Sequence, residues 1–200
     1  YPFSPIEYSK LKFCCKDIAR KYGKVLFNAF ADKYISTRLL KDNLVVISSP
    51  YCFIPTATFA IKDYFVRTIN ERLVAIGHSV VEETKIHRTI TYKEDYGALS
   101  AEQRLSLIQN DGFHIDTEFI KGKQLLLLDD IKITGSHEKV IERMMSDLKI
   151  DNDRIFIYFA ELTNPEIDPK IENYFNYAYV NSLTDLSKII QNENFLLNTR

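Results

Sequence analysis

Leu125-Leu-Leu-Leu-Asp-Asp-Ile-Lys-Ile-Thr-Gly-Ser-His137 is the stretch whose reading decides the fold. Four consecutive leucines are too short a run for a membrane span and read as a buried central strand of a parallel sheet. The strand then meets two adjacent carboxylates, Asp129 and Asp130, and a Thr134-Gly135-Ser136 turn. Val140, Ile141, Met144, Met145 and Leu148 follow at helical spacing. Such a turn aims backbone N–H groups and the positive end of a helix dipole at one point, which favours a bound phosphate. Carboxylates beside it are pure acceptors, suited to gripping sugar hydroxyls or the water shell of a magnesium ion. A phosphate site next to a hydroxyl site points to a sugar phosphate.

Two other families end a hydrophobic strand in acids. A P-loop ATPase would also need a Gly-x-x-x-x-Gly-Lys-Ser/Thr segment, which the chain lacks. Response-regulator receivers carry their acid pair after the first strand, without a phosphate-cradling turn.

Outward from this stretch, strands alternate with helices, the pattern of a mostly parallel α/β sheet. Ser4, Pro5 and Glu7 announce a first helix, with Phe3 stapled onto Tyr8. Leu11, Cys14, Cys15, Ile18 and Tyr22 continue its apolar face until Gly23 stops it. Val25 to Phe30 reads as a candidate strand, and Leu44 to Ile47 as a short buried one ending at Ser48-Ser49-Pro50. Ile61, Phe65, Ile69 and Leu73 predict a helix closed near Gly77. Val80 to Ile86 is the next strand, leading into a polar stretch from His87 to Gly97 that contains Arg88. Ser100 and Gln103 form a capping box for a helix through Gln109, and Phe113 to Phe119 alternates as a half-exposed strand. Ile155 to Phe159 is another buried strand. Tyr177 to Val180 is read as a last one, before a helix capped by Ser182 and Asp185. Tyr174, Phe175, Tyr177 and Tyr179 read as core and rim packing. In such sheets ligands bind beyond the carboxyl ends of strands, where the acid pair and its turn fall.

Composition bounds the function. Two hundred residues at 46% hydrophobic content suit one domain with a sizeable core. Lysine plus arginine is 26 against 27 aspartate plus glutamate, a net charge of −1. That balance predicts no general affinity for nucleic acid or anionic membrane. Three cysteines make no disulfide framework, and a reduced, cytoplasmic chain is expected. No signal-peptide pattern opens the sequence. The chain begins at Tyr1 rather than Met, as a fragment of something longer would.

Leu125 to Leu128, Asp129, Asp130, Ile131, Thr134, Gly135 and Ser136 together resemble the phosphoribosyl-pyrophosphate (PRPP) signature of type I phosphoribosyltransferases. Leu99-Ser100, Arg104, Phe113 and Lys121-Gly122-Lys123 precede it in the order seen in the competence-associated, ComF-like branch. The chain departs from the pattern at Lys132, usually apolar, at Ile133, usually a small hydroxyl or an acid, and at His137, usually Thr. In purine-salvage members an Asp in place of Ile133 handles the base's proton, so its absence argues against that subgroup.

The resemblance implies the type I phosphoribosyltransferase α/β fold, a central, mostly parallel sheet flanked by helices. It implies one domain over residues 1–200. Residues 1–40 would supply an N-terminal helix and candidate hood, 41–160 the PRPP-binding core, and 161–200 a C-terminal strand and helix. It also implies Mg2+-dependent transfer of a phosphoribosyl group from PRPP to a nitrogenous base. Asp129 and Asp130 would hold the ribose hydroxyls. Thr134, Gly135, Ser136 and His137 would cradle the 5′-phosphate, and Ser48 and Ser49 would meet the pyrophosphate. Arg88, with Lys85, stands where family members have a loop that closes over pyrophosphate. The magnesium ion would ride on PRPP and water near the acid pair, with no direct protein ligand. A homodimer is a candidate assembly. The rival expectation is a non-catalytic PRPP- or nucleotide-sensing module of the same fold, favoured by Ile133 and by a first loop without basic residues.

Overall fold

The structure, a computed structural model, describes residues 1–13, 15–35, 40–53, 55–88, 100, 112–192 and 195. Its centre is a four-stranded parallel sheet. Strands β1 (Leu44–Ser48), β2 (Glu82–Thr84), β5 (Gln124–Lys132) and β6 (Arg154–Glu161) lie in the order β2-β1-β5-β6. β1 and β5 pair over their whole shared length, from Leu44 opposite Gln124 to Ser48 opposite Leu128. Both are interior strands, which is why they read as unbroken apolar runs: side chains on either face meet helices.

Alternation along these strands sorts two cores. Val46, Leu126, Leu128 and Ile157 face helices α2 (Lys16–Phe30) and α3 (Ala57–Ala75), where Tyr22, Phe27, Ile61, Phe65 and Ile69 are buried. Val45, Ile47, Leu125 and Leu127 face the opposite way, onto Ile141, Met144 and Met145 of the helix that follows β5. The chain leaves β1 toward β2 on one side and returns to β5 on the other. The carboxyl ends of β1 and β5 therefore flank the switch point at which open α/β sheets bind ligands.

The N-terminal region differs from the expectation of one helix closed at Gly23 and a strand beyond it. Helix α1 (Pro5–Lys12) ends at Phe13, and α2 restarts at Lys16 and runs through Gly23 and the whole of Val25–Phe30. α1 packs against a C-terminal helix while α2 lies along α3, and one straight helix cannot do both. Gly23 serves close approach, not termination: a Cβ there would stand 2.7 Å from Tyr64 Cβ and 2.8 Å from the Ile61 carbonyl oxygen. Leu26, Phe27 and Phe30 are buried at helical spacing, and a six-residue apolar run does not separate helix from strand by itself. A π-helical turn, Ala31–Ile35, extends α2. The start of α1 is as expected: the Glu7 N–H donates to Ser4 Oγ at 3.4 Å, and the Phe3 and Tyr8 rings lie 5.3 Å apart. The Glu7 carboxylate, however, accepts from Lys21 Nζ at 2.7 and 2.8 Å.

Three further elements are corrected. Only Glu82–Thr84 of the expected Val80–Ile86 strand joins the sheet, as an edge. Strand β3 (His87–Arg88) pairs antiparallel with β4 (Phe113–His114). The alternation beyond β4 gives way to a short helix, α4 (Thr117–Ile120), because Asp116 caps it by accepting from the Phe119 N–H at 2.9 Å. Residues 89–99 and 101–111, with the remaining polar stretch and the Ser100–Gln109 helix apart from Ser100 itself, lie outside the described residues.

After β5 come α5 (Ser136–Asp147) and β6, then α6 (Ile171–Tyr177) and α7 (Leu183–Ile190). The expected C-terminal strand at Tyr177–Val180 is absent; those residues close α6, whose Phe175 sinks among Tyr1, Phe3 and Tyr8. The cap of α7 is as read, with Asp185 N–H donating to Ser182 Oγ at 3.2 Å.

Candidate functional site

β5 carries its acid pair within the ladder, not at its end: Asp129 lies opposite Tyr158, and Ile131 and Lys132 opposite Ala160 and Glu161. Neighbouring strand residues project to opposite faces, so the two carboxylates separate. Asp129 Oδ1 accepts from Thr58 Oγ1 at 3.2 Å and from the Asp130 N–H at 2.9 Å, and its Oδ2 lies 3.3 Å from His137 Nδ1. Asp130 turns toward α1. Its Oδ2 accepts from the Tyr8 hydroxyl at 3.0 Å and from Lys12 Nζ, and its Oδ1 from the Ile131 N–H at 2.8 Å.

Asp130 is only 6% exposed. Burial pushes its carboxyl upward, but the Lys12 charge and hydrogen bond, the Ile131 N–H and the Tyr8 hydroxyl outweigh that push and hold it below the ordinary aspartate value. Tyr8 moves the other way. Burial, then the Asp130 and Glu172 charges, raise it well above an ordinary tyrosine, so it serves as an O–H donor.

The turn after β5 is built as its sequence requires. Gly135 sits at φ +70°, a left-handed conformation that costs a residue with a Cβ about 1–2 kcal/mol. Thr134 Oγ1 and Ser136 Oγ are 2.7 Å apart, and the Ser136 N–H donates to Thr134 Oγ1 at 3.3 Å. Gly135 brings no side chain to cap α5; the Ser136 N–H is taken by Thr134, and the first turn of the helix borders the cleft.

Residues 129–138 line one open concavity with Tyr158 and Glu172. Asp129, Asp130, Thr134, Gly135, Ser136 and His137 therefore share a cleft. Lys132 Nζ lies 2.9 Å from Glu138 and 3.3 Å from Glu161. Its hydrogen bond to Glu138 raises it above the usual lysine value. Tyr158 donates to the same Glu138 at 2.8 Å, and burial pushes its phenol strongly upward.

Arg88 borders this site without entering it. It lines a neighbouring hollow with Pro50, Phe113, His137, Val140 and Ile141, so His137 is the shared wall. The Arg88 N–H donates to the Tyr51 carbonyl at 3.3 Å, tying β3 to the loop after β1. Ser48 and Ser49 are buried at the end of β1, Ser49 Oγ lies 3.1 Å from Thr56 Oγ1, and neither serine lines these two hollows. Lys85 Nζ donates to the Cys52 carbonyl at 2.8 Å and stands 3.8 Å from the centre of the Tyr51 ring.

Tyr8, Lys12, Thr58, Tyr158 and Glu172 were not legible as site residues. Each reaches the acid pair or its cleft from a distant part of the chain, and no local spacing announces such a contact. Among the described residues no group of three His, Cys, Asp or Glu could hold a metal ion, and no helix is long and apolar enough to cross a membrane.

Comparison with known proteins gives three findings. No curated protein matches the chain. Among solved structures, the chain is similar to a hypoxanthine phosphoribosyltransferase from Staphylococcus aureus at 11% identity and a TM-score of 0.44, covering 74% of this chain and 75% of that one. It is similar to the hypoxanthine phosphoribosyl transferase of Trypanosoma cruzi at 17% identity and a TM-score of 0.45, covering 76% and 77%. The profile of the family described as PRTase ComF-like matches residues 1–200. Membership rests on that match and not on the two structural likenesses: the chain belongs to the ComF-like phosphoribosyltransferase family.

Proposed function

We propose that the chain binds Mg2+·PRPP and transfers its phosphoribosyl group to a nitrogenous acceptor, releasing pyrophosphate. The observation that carries this reading is the single cleft shared by two carboxylates and the N-terminus of α5. The Thr134–Ser136 turn and the first N–H groups of α5 suit a 5′-phosphate, and His137 adds a ring nitrogen at the same wall. Asp129 and Asp130 suit the ribose hydroxyls as acceptors. In the reaction the bond from C1′ to the pyrophosphate oxygen breaks, a bond from C1′ to the acceptor nitrogen forms, and the acceptor gives up one proton. The carboxylates stabilise the positive charge that develops on the ribosyl ring, and Arg88, in the neighbouring hollow behind His137, is the cation assigned to the charge gathering on the leaving group.

Hard oxygen donors surround the cleft, which suits magnesium. No residue is proposed as a direct ligand. The ion would be carried in by PRPP and its own waters, and when bound it would neutralise charge on the departing pyrophosphate. A cytoplasmic setting, where PRPP chemistry fits and three cysteines need form no disulfide framework, belongs to the same proposal.

A second reading, a PRPP- or nucleotide-sensing module without turnover, is favoured by Ile133 in the wall of the cleft. A proton-handling acid would stand there in a purine-salvage member. Calorimetry with Mg2+·PRPP, paired with a pyrophosphate-release assay across purines, pyrimidines and pyridines, tests both. Binding with release supports transfer, binding without release supports sensing, and no binding removes both.

A further inference from the structure

Tyr8 and Lys12 stand four residues apart on one face of α1 and both donate to a single oxygen of Asp130, from across 122 and 118 residues of chain. We propose that Lys12 is a positioning residue of the ribose-diol site, keeping the Asp130 carboxylate charged and fixed in direction where the cleft needs an acceptor. The inference rests on the phosphoribosyl reading for what the cleft binds, but not for what Lys12 does to Asp130.

A carboxylate this enclosed takes up a proton unless a cation stands beside it. A protonated acid is a worse partner for a diol, because one of its oxygens becomes a donor. Lys12 supplies the cation from a side chain that is itself mostly enclosed, at 14% exposure. Two donors on Oδ2 and the Ile131 N–H on Oδ1 then fix the side chain. A charged carboxylate offers about four acceptor positions, so one remains for the cleft that Asp130 lines.

Among the described residues, the other charged or titratable groups around this acid are Asp129 and Lys132 on its own strand, Glu172 on α6, His137 and Glu138 on α5, and Tyr158 on β6. Lys132 is engaged by Glu138 and Glu161, and the His137 ring sits at Asp129. Lys12 is therefore the cation that touches Asp130. α1 also packs on α6, the helix that brings Glu172 to the cleft.

The test follows Asp130 itself by carboxyl carbon NMR of aspartate-labelled protein through a pH titration, alongside calorimetry with ribose 5-phosphate and with Mg2+·PRPP. In the wild type Asp130 should titrate below an ordinary aspartate. In Lys12→Met it should titrate above one. The variant's affinity should fall about tenfold or more at neutral pH, and the deficit should widen as the solution is acidified. Lys12→Arg should restore most of both. An Asp130 that titrates in Lys12→Met as in the wild type overturns the proposal, as does a loss of affinity by one constant factor at every pH. If Lys12→Met does not fold, Lys12→Gln keeps a polar side chain of similar reach and removes the charge. Asp130 must then titrate higher in Lys12→Gln, and an unmoved titration overturns the proposal. Should the wild type bind neither probe, the phosphoribosyl reading fails, while the Asp130 titration still decides whether Lys12 governs that carboxylate.

Discussion

Lys12 Nζ on α1 rests on Asp130 Oδ2 on β5, so the first helix of the chain is fastened to the acid pair near its centre. Asp129, one residue earlier, turns to the other face and meets Thr58 and His137. The pair is thus two acids with different neighbours, one locked by a cation and one flanked by a hydroxyl and an imidazole. Their substitutions should behave differently.

Asp129→Asn should weaken ribose 5-phosphate binding by roughly ten- to a hundredfold, the loss of one charge-assisted hydrogen bond, with little change in stability. Asp130→Asn should do the same and also destabilise the fold by about 3 kcal/mol, the low end for a broken buried ion pair, because Lys12 keeps a path to water. Calorimetry and urea unfolding on the two variants check this. Unchanged affinity in the double variant would remove the acid pair from the site.

Asp130 also sets a pH dependence. Its carboxyl is held below the unfolded value, so its stabilisation is complete above that value and lost as pH falls through the folded one. The stability advantage of the wild type over Asp130→Asn should therefore stay constant from neutrality to about pH 5 and shrink below about pH 4. Urea midpoints measured across that range decide it. An advantage that grows on acidification would reverse the assigned direction.

How much of this was legible depended on the reach of each interaction. The leucines of β5 and the four-residue repeat of α3 record burial on defined faces, and both elements are where the pattern put them. Thr134, Gly135 and Ser136 form the expected turn because its geometry is local. Val25–Phe30 misled because a run that short carries no clear period. The break between α1 and α2 has no breaker residue; it exists because α1 must reach Asp130 while α2 follows the sheet. Lys12 meets its acid across 118 residues of chain, a contact no local spacing records.

Gly23 and Gly135 make a paired test of two kinds of glycine. Gly23→Ala gains about 1 kcal/mol of helix propensity but drives a methyl to 2.7 Å from Tyr64 Cβ and 2.8 Å from backbone, so overpacking should win by about 1–3 kcal/mol. Gly135→Ala meets only the Lys132 Cε at 3.4 Å, and its cost of about 1–2 kcal/mol is conformational. Thermal unfolding should show both losses. Only Gly135→Ala should also weaken binding of ribose 5-phosphate, because only that turn aims the first N–H groups of α5.

Arg88 offers the clearest separation of transfer from sensing. It stands on β3, behind the shared wall of His137, in a hollow otherwise lined by Pro50, Phe113, Val140 and Ile141. If its charge stabilises the departing pyrophosphate, its contribution grows as the bond to C1′ lengthens, and it counts most in the transition state. Arg88→Ala should then slow pyrophosphate release by roughly a hundredfold while weakening Mg2+·PRPP binding by less than about tenfold. Arg88→Lys should recover only part of the rate, since an ammonium lacks the planar two-pronged donor set. If Arg88 only packs between β3 and β4, the variant should lower the melting temperature, and release and binding should fall by the same factor. Single-turnover release and calorimetry on one preparation distinguish these results, and equal losses would take Arg88 out of the mechanism.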